Sequence, residues 1–378
     1  MTQVLLLYEK FIPSVRLCAY EQLNYLAQKG FFVLNHCQTD QATRKQCENA
    51  DVIVFVRTST ELDMILAKKF KKNGKFIAYV LDDDLLHIEE GLASTPYYQM
   101  NAVQRRIKVI LGLSDLLISP SRYLLQKYSS YVKRTVKIEE PCLNCVKNKP
   151  QNDIIKIGFA GSSDRNKDIN DILENVITSL YYKYSDIVEF EFFGAKPAVV
   201  DKLNLKFYPY EDSYETYQNR FTSLNWDIGL APMSSTEFKN CKYYNKYTEY
   251  GAIQCVGVYS KVKPYTDIIV DGNNGLLCEN TEEEWIRKLE NIIISQTKLL
   301  AMKEDINREM ELKFTLEAVG NGYLKNFQEL EHHKSPKRHY PLFTFYKNYA
   351  KVTRIKEFVI RNKWNTPRRL IQKLIRQA

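Results

Sequence analysis

The sequence predicts an α/β protein of two doubly wound parallel-sheet domains in tandem, followed by a basic helical tail. Three observations predict it. Short apolar runs alternate with segments of helical periodicity through residue 131. The alternation breaks at 139–153, where Pro141 and Pro150 stand among polar residues, and then restarts. Beyond residue 333 the pattern gives way to aromatic and basic residues. Strands that alternate with helices make a parallel sheet with helices on both faces, and a Pro-rich polar break between two such series reads as a linker. The expected domains are 1–145, 146–330 and a tail at 331–378.

Element by element, 4–8 is an apolar run and reads as the first strand. A helical pattern follows, with Leu17, Tyr20, Leu23 and Leu26 on one face and Gly30 as its stop. Strands are expected at 31–34, 51–56, 75–81 and 115–119, with helices at 62–70, 101–113 and 121–131. After the break, strands are expected at 154–159, 188–193, 226–231 and 255–259. Helices are expected at 168–182, 211–223, 282–294 and 299–314. Ligands of such sheets bind beyond the carboxyl ends of the strands, and two facing domains make the cleft between them the default site.

Composition bounds the function. The 378 residues are 44% hydrophobic and 26% charged, with 26 Tyr and 18 Phe, which suits a packed globular chain. The net charge of +9 is uneven: residues 334–378 hold 13 Lys and Arg against one acid, Glu357, and the remainder holds 41 against 44 acids. No apolar run approaches the roughly 18 residues of a membrane-spanning helix. The N-terminus reads as a strand and lacks the basic start and cleavage site of a signal peptide. A cytoplasmic chain with reduced thiols is therefore expected. Cys142-Leu-Asn-Cys145 is the only CxxC among eight cysteines, and with no second ligand pair it is read as structural thiols and not as a zinc site.

In the tail, Val352, Ile355, Phe358 and Val359 share one helical face. After Thr366-Pro367, a helix start, Leu370, Ile371, Leu374 and Ile375 share another, opposed by Arg368, Arg369, Lys373 and Arg376. A basic amphipathic helix reads as binding an anionic membrane surface, each cation adding roughly 1 kcal/mol there. Packing on the body or on a partner protein is the alternative. Nucleic acid is not expected, because the basic residues form no reading motif.

Three stretches could carry chemistry. Around Gly161-Ser162-Ser163, a strand ends and a helix begins. Its backbone N–H groups suit an anion, with Arg165 or Lys167 adding charge, although a plain turn has the same pattern. Gly194 and Tyr210 end neighbouring strands, where a ring can stack on a base or simply pack. Asp82-Asp83-Asp84, with His87, follow a strand and suit acceptor hydroxyls, a metal or a general base; acids also suit a helix N-terminus. The most informative stretch is 238–251. If it is helical, Lys242, Lys246 and Glu249 fall on one face at i, i+4 and i+7, and Tyr243, Tyr244 and Tyr247 on another. Two cations and a carboxylate aimed together suit a phosphate-bearing ligand with hydroxyl groups.

Phe238-Lys-Asn-Cys-Lys242, Lys246-Tyr-Thr-Glu249-Tyr-Gly-Ala252, Gly257-Val-Tyr-Ser260, Pro264-Tyr265, Val270-Asp-Gly-Asn-Asn-Gly-Leu-Leu277 and Asn280-Thr-Glu-Glu-Glu-Trp285 together resemble the group 1 (family 4-like) glycosyltransferases of GT-B fold. Val80-Leu-Asp-Asp-Asp84 and Ser114-Asp-Leu-Leu-Ile-Ser-Pro-Ser121 are similar to segments of that family's N-terminal half. The resemblance covers about 1–330 and is most specific over 238–285. It implies two Rossmann-like domains and a nucleotide-diphosphate sugar (UDP-, GDP- or dTDP-linked) as donor substrate. No permanently bound cofactor is implied, and no required metal. Glu249 would accept from the donor ribose, Lys242 and Lys246 would neutralise the diphosphate, and Lys167 with Arg165 would stabilise it as it leaves; Gly161, Ser162, Gly194, Tyr210 and Asn240 are the further candidate donor-binding residues. Lys246 would also serve catalysis. Asp83, Asp84 and His87 would serve on the acceptor side. The family's first Glu of a Glu–seven residues–Glu pattern falls at Cys241 here. The implied activity is sugar transfer to an acceptor hydroxyl; the basic tail, which the resemblance does not cover, favours a glycan or lipid-linked glycan acceptor on the inner membrane face, as in cell-envelope or capsular polysaccharide assembly. A non-catalytic subunit partnering an active transferase and a sugar-nucleotide epimerase are the alternatives.

Overall fold

The computed structural model describes residues 1–336 apart from 148 and 151. The amphipathic tail helices expected at 352–359 and 366–376 lie outside the described residues. The described residues divide into two compact units: Met1–Glu140 with 319–336, and Pro141–Ala318.

The first unit holds six parallel strands: β1 (Gln3–Tyr8), β2 (Val33–Gln38), β3 (Val52–Val56), β4 (Phe76–Val80), β5 (Leu116–Ser119) and β6 (Thr135–Lys137), in the order β2-β1-β3-β4-β5-β6. The central strands are buried on both faces, so they read as unbroken apolar runs: all five residues of β3 are buried. Each such Val, Ile or Phe contributes about 1.5–3 kcal/mol by leaving water. Local signals set the helices. Thr60 caps Glu61–Lys72 in a reciprocal box with Asp63, and Gly30 (φ +87) follows the helix Glu21–Gln28 in the left-handed region that glycine favours.

The second unit holds β7 (Ile155–Gly161), β8 (Val188–Gly194), β9 (Lys206–Tyr208), β10 (Ile228–Ala231), β11 (Val256–Ser260) and β12 (Leu276–Cys278), in the order β12-β11-β10-β7-β8-β9. This is the dinucleotide-fold order, with the chain reversing direction across the sheet between β7 and β10. Ligand sites of such sheets lie at the carboxyl end of this switch point.

Three strands were given no bounds from sequence, although a strand before Tyr210 was implied. β6, β9 and β12 are three residues each, too short to show a period. The end of the second domain also differs. The helix Leu316–Asn326 begins in the second unit, but from Val319 the chain joins the first unit, and not the second as the expected boundary at 330 has it. Val319, Tyr323, Phe327 and Leu330 enter the first unit's core, and the Tyr323 hydroxyl donates to the Cys18 carbonyl. An apolar helical face is visible in sequence, but which of two cores receives it is not.

Candidate active site

In the second unit the carboxyl ends of β7, β8, β10 and β11 gather one polar neighbourhood. Gly161 and Gly194 are paired in register at the ends of β7 and β8. Gly194 has φ +82, and a Cβ there would stand 2.4 Å from the Gly161 carbonyl oxygen, so the position admits glycine alone. Tyr210, 60% exposed, flanks it, with Cδ2 3.4 Å from the same point. A short turn, Ser163–Arg165, leads from β7 into the helix Asn166–Lys183. The Ser162 hydroxyl donates to Asp164.

Asp168, buried in the first turn of that helix, accepts from Ser234 N (3.2 Å), Ser234 Oγ (2.7 Å) and Lys239 Nζ (2.8 Å). Burial would raise its pKa, but the bonds from Lys239 and Ser234 outweigh this and hold it below the ordinary carboxylate value. This network fixes the loop after β10 against the helix after β7. Asn280 and Ser260 complete the clamp: Ser260 Oγ accepts from Met233 N (2.8 Å), and Asn280 Nδ2 donates to the Met233 carbonyl (2.9 Å).

The stretch 238–251 is not one helix. Glu237–Asn240 and Asn245–Ala252 are separate helices. Cys241, Tyr243 and Tyr244 are buried between them, the two tyrosine rings 4.1 Å apart, and Tyr244 has non-helical backbone (φ −82, ψ 51). Burying three consecutive-region side chains on different sides breaks the helical period. Lys242 therefore leaves the face shared by Lys246 and Glu249, and its ammonium lies 4.6 Å from the Phe238 ring centre. Lys246 and Glu249 do stay together, as an ion pair whose side chains are 17% and 28% exposed.

Tyr217 joins this helix to the β8 end. Burial, and next the Glu249 carboxylate, push its phenol pKa well up. Its ring stacks on Phe193, next to Gly194, at 5.1 Å. Tyr265, buried, has its pKa pushed up by burial, eased by Arg165 and pushed further by Glu249 and Asp168. Arg165, Glu249 and Asp168 thus all act electrostatically on one tyrosine. Arg165 lies 3.9 Å from Asp168. Lys167 points elsewhere: its side chain is 82% exposed and pairs with Asp171. Asn240 Oδ1 is buried with no hydrogen-bond partner among the described residues. The neighbourhood therefore offers Arg165 and Lys246 to an anion, Glu249 to hydroxyl donors and Tyr210 to a flat ring.

The first unit has its own polar cluster at the strand ends. Arg57, in left-handed backbone (φ +50) after β3, pairs with Asp82 and with Asp83 at 2.9 Å. Burial would lower the guanidinium pKa, but the two carboxylates keep it raised. Glu9, after β1, accepts from Ser59 N and Oγ, both at 2.7 Å. Asp84 is completely buried, contrary to a role at a reacting group. It accepts from Tyr128 (2.6 Å) and pairs with Lys127 (2.8 Å), and these bonds with His87 outweigh burial and lower its pKa. His87, with a side chain 56% exposed, is held through Nδ1, 3.0 Å from Asp84 Oδ1. That leaves Nε2 as the nitrogen able to exchange a proton with another molecule. Among the described residues no three His, Cys, Asp or Glu gather as a metal site, and no helix is long and apolar enough to cross a membrane.

Sequence reading missed Asp168, Lys239, Ser234 and Tyr217. The stripe Tyr214, Tyr217, Phe221 at i, i+3 and i+7 was a signal for the last of these; the Asp168–Lys239 pair, 71 residues apart, left none.

No protein-family model matches the sequence, and no curated protein does. Solved structures do. Anabaena Alr3699/HepE, crystallised with UDP and glucose, aligns with TM-score 0.60 at 11% identity over 87% of this chain and 100% of that one. A UDP-forming trehalose-phosphate synthase from Burkholderia xenovorans aligns with TM-score 0.57 at 10% identity over 88% and 100%. TarM aligns with TM-score 0.53 at 15% identity over 74% of this chain and 55% of its own, so this chain spans about half of TarM. With its two Rossmann-like units, the chain has the GT-B fold.

Proposed function

We propose that the protein is a glycosyltransferase that moves a sugar from a nucleotide-diphosphate donor to an acceptor hydroxyl. The observation that carries this is the Lys246–Glu249 ion pair on the helix after β10, with Tyr217, whose phenol that carboxylate perturbs, stacked on Phe193 next to the Gly194 strand end at the switch point of the second sheet. Lys246 and Arg165 supply cations to the diphosphate, Glu249 accepts from ribose hydroxyls, and the exposed Tyr210 ring suits the base. UDP is the favoured nucleotide, because HepE is described with UDP and glucose and the Burkholderia synthase as UDP-forming.

Chemically, breaking the sugar–phosphate bond leaves negative charge on the diphosphate, and a fixed cation beside it lowers that barrier. Lys246 does this with its ammonium, in a site where partial burial strengthens the interaction. On the acceptor side, His87 Nε2 accepts the hydroxyl proton while Asp84 fixes the ring and its tautomer through Nδ1. Asp82 and Asp83, already paired with Arg57, orient hydroxyls rather than take protons. A glycan or lipid-linked acceptor at an anionic membrane surface fits the 13 basic residues of 334–378. A cytoplasmic, membrane-peripheral location follows from that reading.

The experiment is release of nucleoside diphosphate from UDP-, GDP- and dTDP-sugars. Lys246→Ala and Glu249→Ala are each expected to lower kcat/KM on the order of 10²-fold or more. Cys241 is fully buried at the position where the resemblance has a Glu, and this favours the second reading, a non-catalytic subunit. Binding of a donor with no release in any acceptor mixture would establish that reading instead.

A further inference from the structure

The CxxC motif remains outside the site just described, yet it touches it. Cys142 Sγ and Cys145 Sγ stand 3.1 Å apart, in the segment that enters the second unit. Asn144 between them has left-handed backbone (φ +58), which curls the turn so that the two thiols meet. Cys145 is exposed, whereas Cys142 is partly buried with its thiol 3.5 Å from the Thr248 carbonyl. Thr248 precedes Glu249 on the helix Asn245–Ala252.

The same segment is tied to that helix at a second point and to its neighbour at a third. Val146 N donates to the Ala252 carbonyl at 2.7 Å, closing the helix end. Asn144 Nδ2 donates to Gln218 Oε1 (3.2 Å), and Gln218 Nε2 to Tyr214 Oη (3.0 Å) on the helix Tyr214–Ser223, which carries Tyr217. The turn between the two cysteines therefore bridges the helices that carry Glu249 and Tyr217.

We propose that Cys142 and Cys145 form a reversible dithiol–disulfide site, oxidised by small-molecule disulfides, whose closure loosens the helix that carries Lys246 and Glu249. The chemistry balances without other parties. The Cys145 thiolate attacks one sulfur of a disulfide RSSR, the S–S bond breaks, and RS⁻ leaves with its electron pair. Cys142 then gives its proton to solvent, and its thiolate attacks Cys145 Sγ, expelling the second RS⁻. Two protein thiols are oxidised and RSSR is reduced to two RSH. The roles follow from exposure: Cys145 is the exposed thiol and Cys142 the partly buried one.

Closure shortens the sulfur separation from 3.1 Å to about 2.05 Å. It also removes the only hydrogen Cys142 Sγ can offer the Thr248 carbonyl. One lost bond at this turn predicts amide exchange over 246–252 faster on the order of fivefold. An effect on the nucleotide rests on the donor reading above; the chemistry of the pair does not.

The test equilibrates the full chain with glutathione redox buffers, alkylates free thiols, and maps them by mass spectrometry alongside hydrogen exchange. Cys142 and Cys145 are expected to lose reactivity together with one midpoint, and Cys145→Ser or Cys142→Ser to abolish the transition. Exchange over 246–252 is expected to quicken on oxidation, and UDP binding to weaken severalfold. No paired loss across the buffer range would overturn the site, and paired loss with unchanged exchange would overturn its coupling to the helix. Quickened exchange without UDP binding in either redox state would sustain the redox site and refute the donor reading.

Discussion

Asp168→Asn tests the framework of the proposed donor site. The Asp168 side chain is 6% exposed and that of Lys239 15%, so this is a largely desolvated ion pair with two further bonds from Ser234. The amide removes the charge and turns a donor toward groups that themselves donate. Breaking one side of a buried pair costs about 3–5 kcal/mol; the partial access of Lys239 to water places this one near the lower end, at ~3 kcal/mol. For a unit the size of Pro141–Ala318 that corresponds to a drop of about 6–12 °C in unfolding temperature. Trp226 and Trp285, both buried in this unit, report its unfolding by fluorescence in urea. The pH dependence has a definite sign. Because the folded-state pKa of Asp168 is depressed, its contribution is present above the ordinary carboxylate pKa and is lost as pH falls through the folded value. The gap between parent and variant should therefore close below about pH 4. A gap under about 1 kcal/mol at pH 7, or one unchanged on acidification, would refute the reasoning.

Further predictions concern single residues. Gly194→Ala puts a Cβ 2.4 Å from the Gly161 carbonyl at φ +82; a loss of about 2 kcal/mol or more in urea unfolding is expected, with weaker UDP binding by calorimetry. Glu140, buried and bonded by the Cys18 thiol at 3.1 Å, has its pKa pushed up to about 8, by burial first and by Asp82 next. A raised acid pKa gives stability that is complete below the unfolded value and is lost as pH rises through about 8. Glu140→Gln should therefore raise the melting temperature at pH 9 relative to the parent, by an amount worth at most about 5 kcal/mol, and leave it little changed at pH 4. His87→Ala should lower kcat on the order of 10²-fold or more while leaving donor affinity intact, measured by steady-state kinetics beside UDP titration.

Much of the fold was legible in the sequence because parallel strands buried on both faces announce themselves as apolar runs, as in Val52–Val56. The break at 139–153 was legible because proline and polar residues cannot continue either pattern. The expected boundary at 330 lies past the point where the chain joins the first unit, because the side chains of Val319 and Tyr323 carry no local signal of which core receives them. In the site, the common face of Lys246 and Glu249 was readable from their i, i+3 spacing, with two intervening residues, and the structure keeps the two paired. Lys242 was not, because burial of Tyr243 and Tyr244 overrode the helical period. Lys167 was misleading for a different reason: a cation after a strand-to-helix turn can face either way, and here Asp171 on the same helix holds it outward. Asp84 showed a third limit of pattern, since three consecutive acids look alike in sequence and only packing distinguishes the buried one. The partners of Asp168 come from another loop, and no local spacing encodes them.

The most direct measurement is hydrogen–deuterium exchange of the full chain with and without UDP. The account predicts slower exchange confined to four segments of the second unit: 159–168, 193–195, 210–217 and 245–250. Glu249→Ala should diminish that protection. Protection confined to other segments, or identical exchange at saturating concentrations of UDP and of the other nucleoside diphosphates, would contradict the assignment of a nucleotide-sugar site to the Lys246–Glu249 helix.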